Sequence, residues 1–169
     1  KLKKLIILFK NFVKLIYTFF LKKKIVFFCE NEYTFEYLKT IIEKKSKIKK
    51  NQILIISKSN IFIKGGNFKS IFISSDFLLE IFFLTLRAKI LYTTTPGLED
   101  TFFKRSILCE SIKYIYIQHS HIGLIKAYSK NAFKSFNAIQ VINSYQYSDA
   151  LFFRKKYFKK FKIFKSKYQ

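Results

Sequence analysis

Apolar residues in this chain fall into two periods, and the alternation between them predicts the architecture. Short continuous runs rich in Ile, Val, Phe and Tyr occupy residues 25–29, 53–56, 88–92, 114–117 and 138–142. Runs of that length and composition, bounded by polar clusters, read as strands buried on both faces. Between them lie stretches with helical spacing. Thr34 can cap a helix reaching about Lys45 through Phe35, Leu38, Ile41 and Ile42, and Ser75 or Asp76 can cap one running through Phe77, Leu78, Ile81, Phe82 and Leu84. Further helices are predicted over 127–136 and 145–157, with a short helix or irregular connection over 99–109. Residues 61–63 and 71–73 flank Gly65-Gly66, which either turns a hairpin or joins two separate short strands. The tail from Phe158 fits no period.

Strands alternating with helices predict an α/β fold, a Rossmann-like and mainly parallel sheet with helices on both faces. Residues 24–169 make up that domain, and residues 1–23 stand apart from it. In this opening segment Lys10, Asn11, Lys14 and Thr18 form a narrow polar stripe on an otherwise apolar helix. A spanning helix needs about 20 mostly apolar residues. This run is shorter and is interrupted by lysine, so an amphipathic helix lying in the membrane plane is expected, with a helix packed on the domain as the alternative.

Composition sharpens the picture. The chain has 169 residues, enough for one domain with a core, and 22 Phe with 11 Tyr argue against disorder. Only four Gly and one Pro are available for special turns, and Gly65-Gly66 lacks the spacing of a phosphate loop. The formal charge of +23, from 33 basic and 10 acidic residues, suits anionic lipid, a phosphate-bearing substrate or nucleic acid. Arginine is confined to Arg87, Arg105 and Arg154, whereas base readout favours arginine, so nucleic acid is the weakest of the three. Two cysteines make no disulfide framework, and Cys29 reads as a small core residue in a reducing compartment. The chain does not open on Met and shows no small-residue cleavage site after its first apolar run, so a fragment is expected.

The candidate chemistry gathers at strand ends. The run over 114–117 stops abruptly at Gln118, His119, Ser120 and His121, and the carboxyl ends of parallel strands are where ligands bind. His119 is the candidate general base for an attacking hydroxyl, with Glu30, which ends another strand, as its orienting partner. Thr94, Thr95, Lys104, Arg105 and Ser120 are candidate donors to phosphate oxygens. Each could equally be a loop or cap residue. His119 and His121 lack the companion spacing of a metal site, so neither a metal nor another cofactor is expected.

These same segments carry a resemblance. IVFFCE at 25–30, LYTTTPGL at 91–98 with FKRS at 103–106, and YIYIQHS at 114–120, followed by Ala132, Phe133 and Asn143, resemble the amino-terminal half of the CDP-glycerol glycerophosphotransferase family, which builds teichoic-acid-type polymers. The resemblance implies the acceptor-side domain of a glycosyltransferase-B-like enzyme, without its carboxy-terminal donor-binding domain. It also implies His119 as the base, CDP-glycerol as donor, a lipid-linked or polymer acceptor, and a peripheral location on the cytoplasmic face of the membrane. The family often has Gly directly after the histidine, where this chain has Ser120. The other readings are a nucleotide-sugar glycosyltransferase fragment and a non-catalytic module that binds a membrane or a partner.

Overall fold

The computed structural model describes residues 25–48, 52–59, 69–100, 102–119, 123–157 and 160–165, together with Phe9, Val13 and Ile16 of the amino-terminal segment. Those three residues are helical, and the rest of the expected amphipathic helix lies outside the described residues, as do Ser120, His121 and the Gly65-Gly66 turn. Seven strands form one sheet: β1 (Ile25–Cys29), β2 (Ile53–Ser57), β3 (Lys69–Phe72), β4 (Ile90–Thr93), β5 (Lys113–Ile117), β6 (Ala138–Val141) and β7 (Lys162–Lys165). Their order is β3-β2-β1-β4-β5-β6-β7, and every pairing is parallel. The fold is α/β and Rossmann-like.

The helices are α1 (Glu32–Ile48), α2 (Asp76–Leu84), α3 (Leu124–Ala127) and α4 (Ser144–Lys156). Because side chains alternate along a strand, β1 sends Ile25, Phe27 and Cys29 to one face and Val26 and Phe28 to the other. On the first face Phe35, Leu38, Ile41 and Ile42 of α1 cover β1 and β2. On the second, Leu78, Leu79, Phe82 and Phe83 of α2 and Ala150 and Phe153 of α4 close the core. The expected helices on both faces are therefore present. β1 and β2 are buried at every position, as their unbroken apolar runs require.

Local chemistry sets the helix starts. Asn31, not Thr34, caps α1: its side-chain oxygen accepts from the Thr34 N–H at 2.9 Å, while the Thr34 hydroxyl accepts from the Asn31 N–H at 3.2 Å. That reciprocal pair satisfies two orphan backbone donors. Ser75 caps α2 through the Leu78 N–H, and Asn143 caps α4 through the Gln146 N–H. The helix expected over 127–136 forms earlier and ends at Ala127, because Tyr128 is extended (φ −132°, ψ 146°) and the chain beyond it runs in turns. This break lets Phe133 and Phe136 enter the core without helical spacing. The 99–109 connection is irregular where described; it is held by Gly97 at φ +72°, a conformation glycine adopts without strain, and by a positive φ at Glu99.

Phe83 makes edge contacts with Phe28 at 5.0 Å and Phe103 at 4.8 Å between centroids, and it is fully buried. Phe83→Ala is expected to cost about 3–5 kcal/mol, the range for emptying a packed phenyl site. Phe77→Ala, in the same helix but 69% exposed, should cost under about 0.5 kcal/mol. Asn143→Ala should cost about 1 kcal/mol through the lost cap. Urea unfolding of the three variants checks the ranking.

Candidate active site at the carboxyl rim

The chain leaves β1 toward β2 and β3 and leaves β4 toward β5, β6 and β7, so the strand order reverses between β1 and β4. Loops leaving those two strands part to opposite faces, and the crevice between them is the usual ligand position in such sheets. Register fixes what lines it. Phe28, Thr93 and Tyr116 lie abreast on β1, β4 and β5, so Glu30, Thr94-Thr95 and Gln118-His119 all follow at the same rim.

His119 is partly buried among tyrosines. Its Nδ1 lies 3.3 Å from the Tyr116 hydroxyl, which is 2.7 Å from the Tyr128 hydroxyl. The Tyr37 ring of α1 meets the imidazole edge to face at 5.8 Å, and the Tyr37 hydroxyl is 2.9 Å from that of Tyr33. Burial lowers the His119 pKa below 6.5, and two weaker effects oppose it: a hydrogen bond to the Ile117 carbonyl and the negative charge of Glu30. The ring is therefore neutral at pH 7. A neutral imidazole has one N–H: where Nδ1 carries it, the Tyr116 oxygen accepts it and Nε2 holds the free lone pair, and where Nε2 carries it, the Tyr116 hydroxyl of this relay donates to Nδ1. Burial raises the pKa of both Tyr116 and Tyr128, so this relay stays uncharged.

Thr94 and Thr95 are 1% and 8% exposed, and the hydroxyl of each is buried without a hydrogen-bond partner among the described residues. An unpaired buried hydroxyl is costly, and groups of this kind in a crevice mark where a ligand can complete the bonding. Thr93 is different, since its hydroxyl accepts from the Thr95 N–H at 2.9 Å and stiffens the bend. Glu30 acts on His119 by charge through space, and among the described residues no hydrogen bond joins them.

Two predicted phosphate ligands are already engaged by backbone carbonyls. The Arg105 guanidinium donates to the Ser135 carbonyl at 2.5 Å and stacks on Tyr114 at 4.5 Å. Tyr114 is near the start of β5, so Arg105 secures a loop toward the other end of the sheet. Lys104 donates to the Glu99 carbonyl at 3.3 Å on the same connection. Sequence reading did not single out Lys58, which follows β2 at the rim, pairs with Asp76 at 2.6 Å and lies 4.7 Å over Phe102. It also missed the tyrosines. The spacing of Tyr33 and Tyr37 puts both on one helix face, but nothing in the spacing linked that face to Tyr116 and Tyr128.

Among the described residues no three His, Cys, Asp or Glu side chains gather into a metal-binding group. Cys29 is buried with its thiol pushed up to about 12, and Cys109 is a free thiol. Comparison with protein-family models, with curated proteins and with solved structures found no match.

The shifted imidazole has a measurable consequence. His119 is expected to titrate below 6.5 by NMR, and Glu30→Gln should lower it further by removing a charge that favours the imidazolium. The unfolded chain takes up the proton first as pH falls, so the stability linked to neutral His119 is intact above 6.5. It is lost as pH drops from there through the folded value. Urea midpoints at mildly acid and neutral pH should differ less in His119→Asn than in the parent.

Proposed function

We propose that this domain is the acceptor-side half of a glycerophosphotransferase resembling the CDP-glycerol family. The observation that carries the proposal is the partly buried His119 imidazole at the switch-point rim, one strand from two buried threonine hydroxyls that have no hydrogen-bond partner among the described residues. His119 takes the proton from an acceptor hydroxyl. The freed oxygen attacks the glycerol-bearing phosphorus of CDP-glycerol, the new P–O bond forms, the P–O bond to the nucleotide breaks and CMP departs. Thr94 and Thr95 donate to the phosphate oxygens, and Glu30 steadies the imidazolium that results. Ser120, next to the base in sequence, is proposed as a further donor. Tyr37 and Tyr116 hold the ring in place. By the same resemblance, the nucleotide contacts belong to a donor-binding domain.

The amino-terminal segment acts as an in-plane anchor at the cytoplasmic face of the membrane. Phe9, Val13 and Ile16 recur at i, i+4 and i+7, are helical and are exposed, which is the stripe an interfacial helix presents to lipid. Among the described residues no helix is long and apolar enough to cross a membrane.

The test is transfer of radiolabelled glycerol phosphate from CDP-glycerol to acceptor in membranes by the full gene product, with nucleotide sugars as competing donors. His119→Ala should lower transfer by about 100-fold or more, the usual loss for a general base, and Thr94→Val by about tenfold. Transfer from a nucleotide sugar instead would identify a glycosyltransferase. Transfer indifferent to His119→Ala would leave a binding module. Deletion of residues 1–24 should separately weaken sedimentation with anionic vesicles.

A further inference from the structure

In an all-parallel sheet every strand starts on one edge and stops on the other, and here charge divides along that axis. Lys69, Lys113 and Lys162 are the first residues of β3, β5 and β7, Arg87 and Lys89 immediately precede β4, and all five are exposed. The last turns of α1 and α4 reach the same edge with further basic residues. Lysines at helix carboxyl ends are explained by the helix dipole, but those at strand starts are not. Among the described residues the acids near this edge are Glu43 and Glu110, whereas the carboxyl rim carries Glu30, Glu32, Asp76 and Asp149 alongside its own Lys58, Lys126 and Lys165. A compositional excess of lysine would by itself spread evenly over both edges.

A second feature shares the basic edge. Ile107 and Leu108 are 69% and 43% exposed, on a loop pinned to the segment before β4. The Ile107 N–H donates to the Leu84 carbonyl at 2.9 Å, and the Ser106 hydroxyl donates to that of Leu86 at 2.8 Å. The chain enters β1 at Ile25 from this edge too, so the amino-terminal segment attaches here.

We infer that the amino edge of the sheet docks on an anionic bilayer, with its lysines against the head groups and Ile107-Leu108 dipping into the interface. Lysine-rich surfaces gain from anionic lipid additively, and exposed aliphatic side chains gain from acyl chains. Single-stranded nucleic acid would call for aromatic platforms beside the cations instead. The geometry turns the carboxyl rim away from the membrane by one strand length, about 17 Å for five residues. On the proposed enzymatic reading, and resting on it, the acceptor hydroxyl that reaches His119 stands off the bilayer by that distance, as on a polymer or a long head group.

Sedimentation of the full chain with phosphatidylcholine vesicles, with and without phosphatidylglycerol, at physiological ionic strength tests the docking face independently of catalysis. Lys89→Glu with Lys113→Glu should weaken binding to anionic vesicles by about tenfold or more, whereas the same reversal at Lys126, beyond the carboxyl end of β5, and Lys165, the last residue of β7, should change it less than about twofold. Ile107→Asn with Leu108→Asn should remove the part of the binding that survives high salt. Circular dichroism melts matching the parent separate these effects from unfolding. Equal losses from the two charge pairs, no loss from the first, or an amino-edge loss seen with RNA or duplex DNA but not with vesicles would overturn the inference.

Discussion

The parallel ladder of β1, β2, β4 and β5 is the constraint from which the rest of the molecule follows. Parallel strands cannot be joined by tight turns, so each connection must cross a face of the sheet, and the helices that cross it bury β1 and β2 completely. Inside such strands every backbone donor and acceptor is committed to a neighbour. Polar groups can reach a ligand only where the ladder stops, and the ladder stops on one rim. Glu30, Thr94, Thr95 and His119 share that rim because their strands share a direction and a register.

The two faces are packed differently. On the α1 side the core is largely aliphatic, apart from Phe27 stacked on Tyr92 at 5.0 Å and from Phe35. On the α2 and α4 side a connected group of rings runs from Phe83 through Phe28 and Phe103 to Phe133 and Phe153. Bulky rings fill space that irregular segments leave, and here they compensate for two connections that contain no long helix. The tyrosines extend this ring network to the surface. Tyr116 packs against Phe133 at 4.9 Å while its hydroxyl faces His119, so a core residue also positions the candidate base.

Burial and charge pull against each other at His119, and burial wins: the imidazole stays neutral although Glu30 and the Ile117 carbonyl favour its protonated form. A neutral ring is the state a general base needs before it acts, and a nearby carboxylate is what it needs afterwards. Elsewhere the same competition yields inert groups, as at Cys29, where burial without a compensating charge keeps the thiol protonated.

The alternation of unbroken apolar runs with helical spacing determined the α/β class, the strands at 25–29, 53–56, 114–117 and 138–142, and α4, because burial on both sides leaves a composition that can be read locally. The carboxyl-end placement of His119 and the threonines was legible for the same reason. Other features depended on partners distant in sequence. β7 is a four-residue edge strand, Lys-Ile-Phe-Lys, mostly exposed, and it exists through its pairing with β6. The early end of α3 follows from where Tyr128 must reach, and the Arg105 position from a carbonyl 30 residues away. The sequence by itself thus determined which segments are buried and what chemistry their ends hold, since burial and hydrogen-bonding capacity belong to each residue. Tertiary structure alone decided which ends meet, which rings surround the imidazole and which edge collects the lysines, because those depend on strand order and direction, and the local pattern of apolar residues is the same whichever neighbour a strand takes.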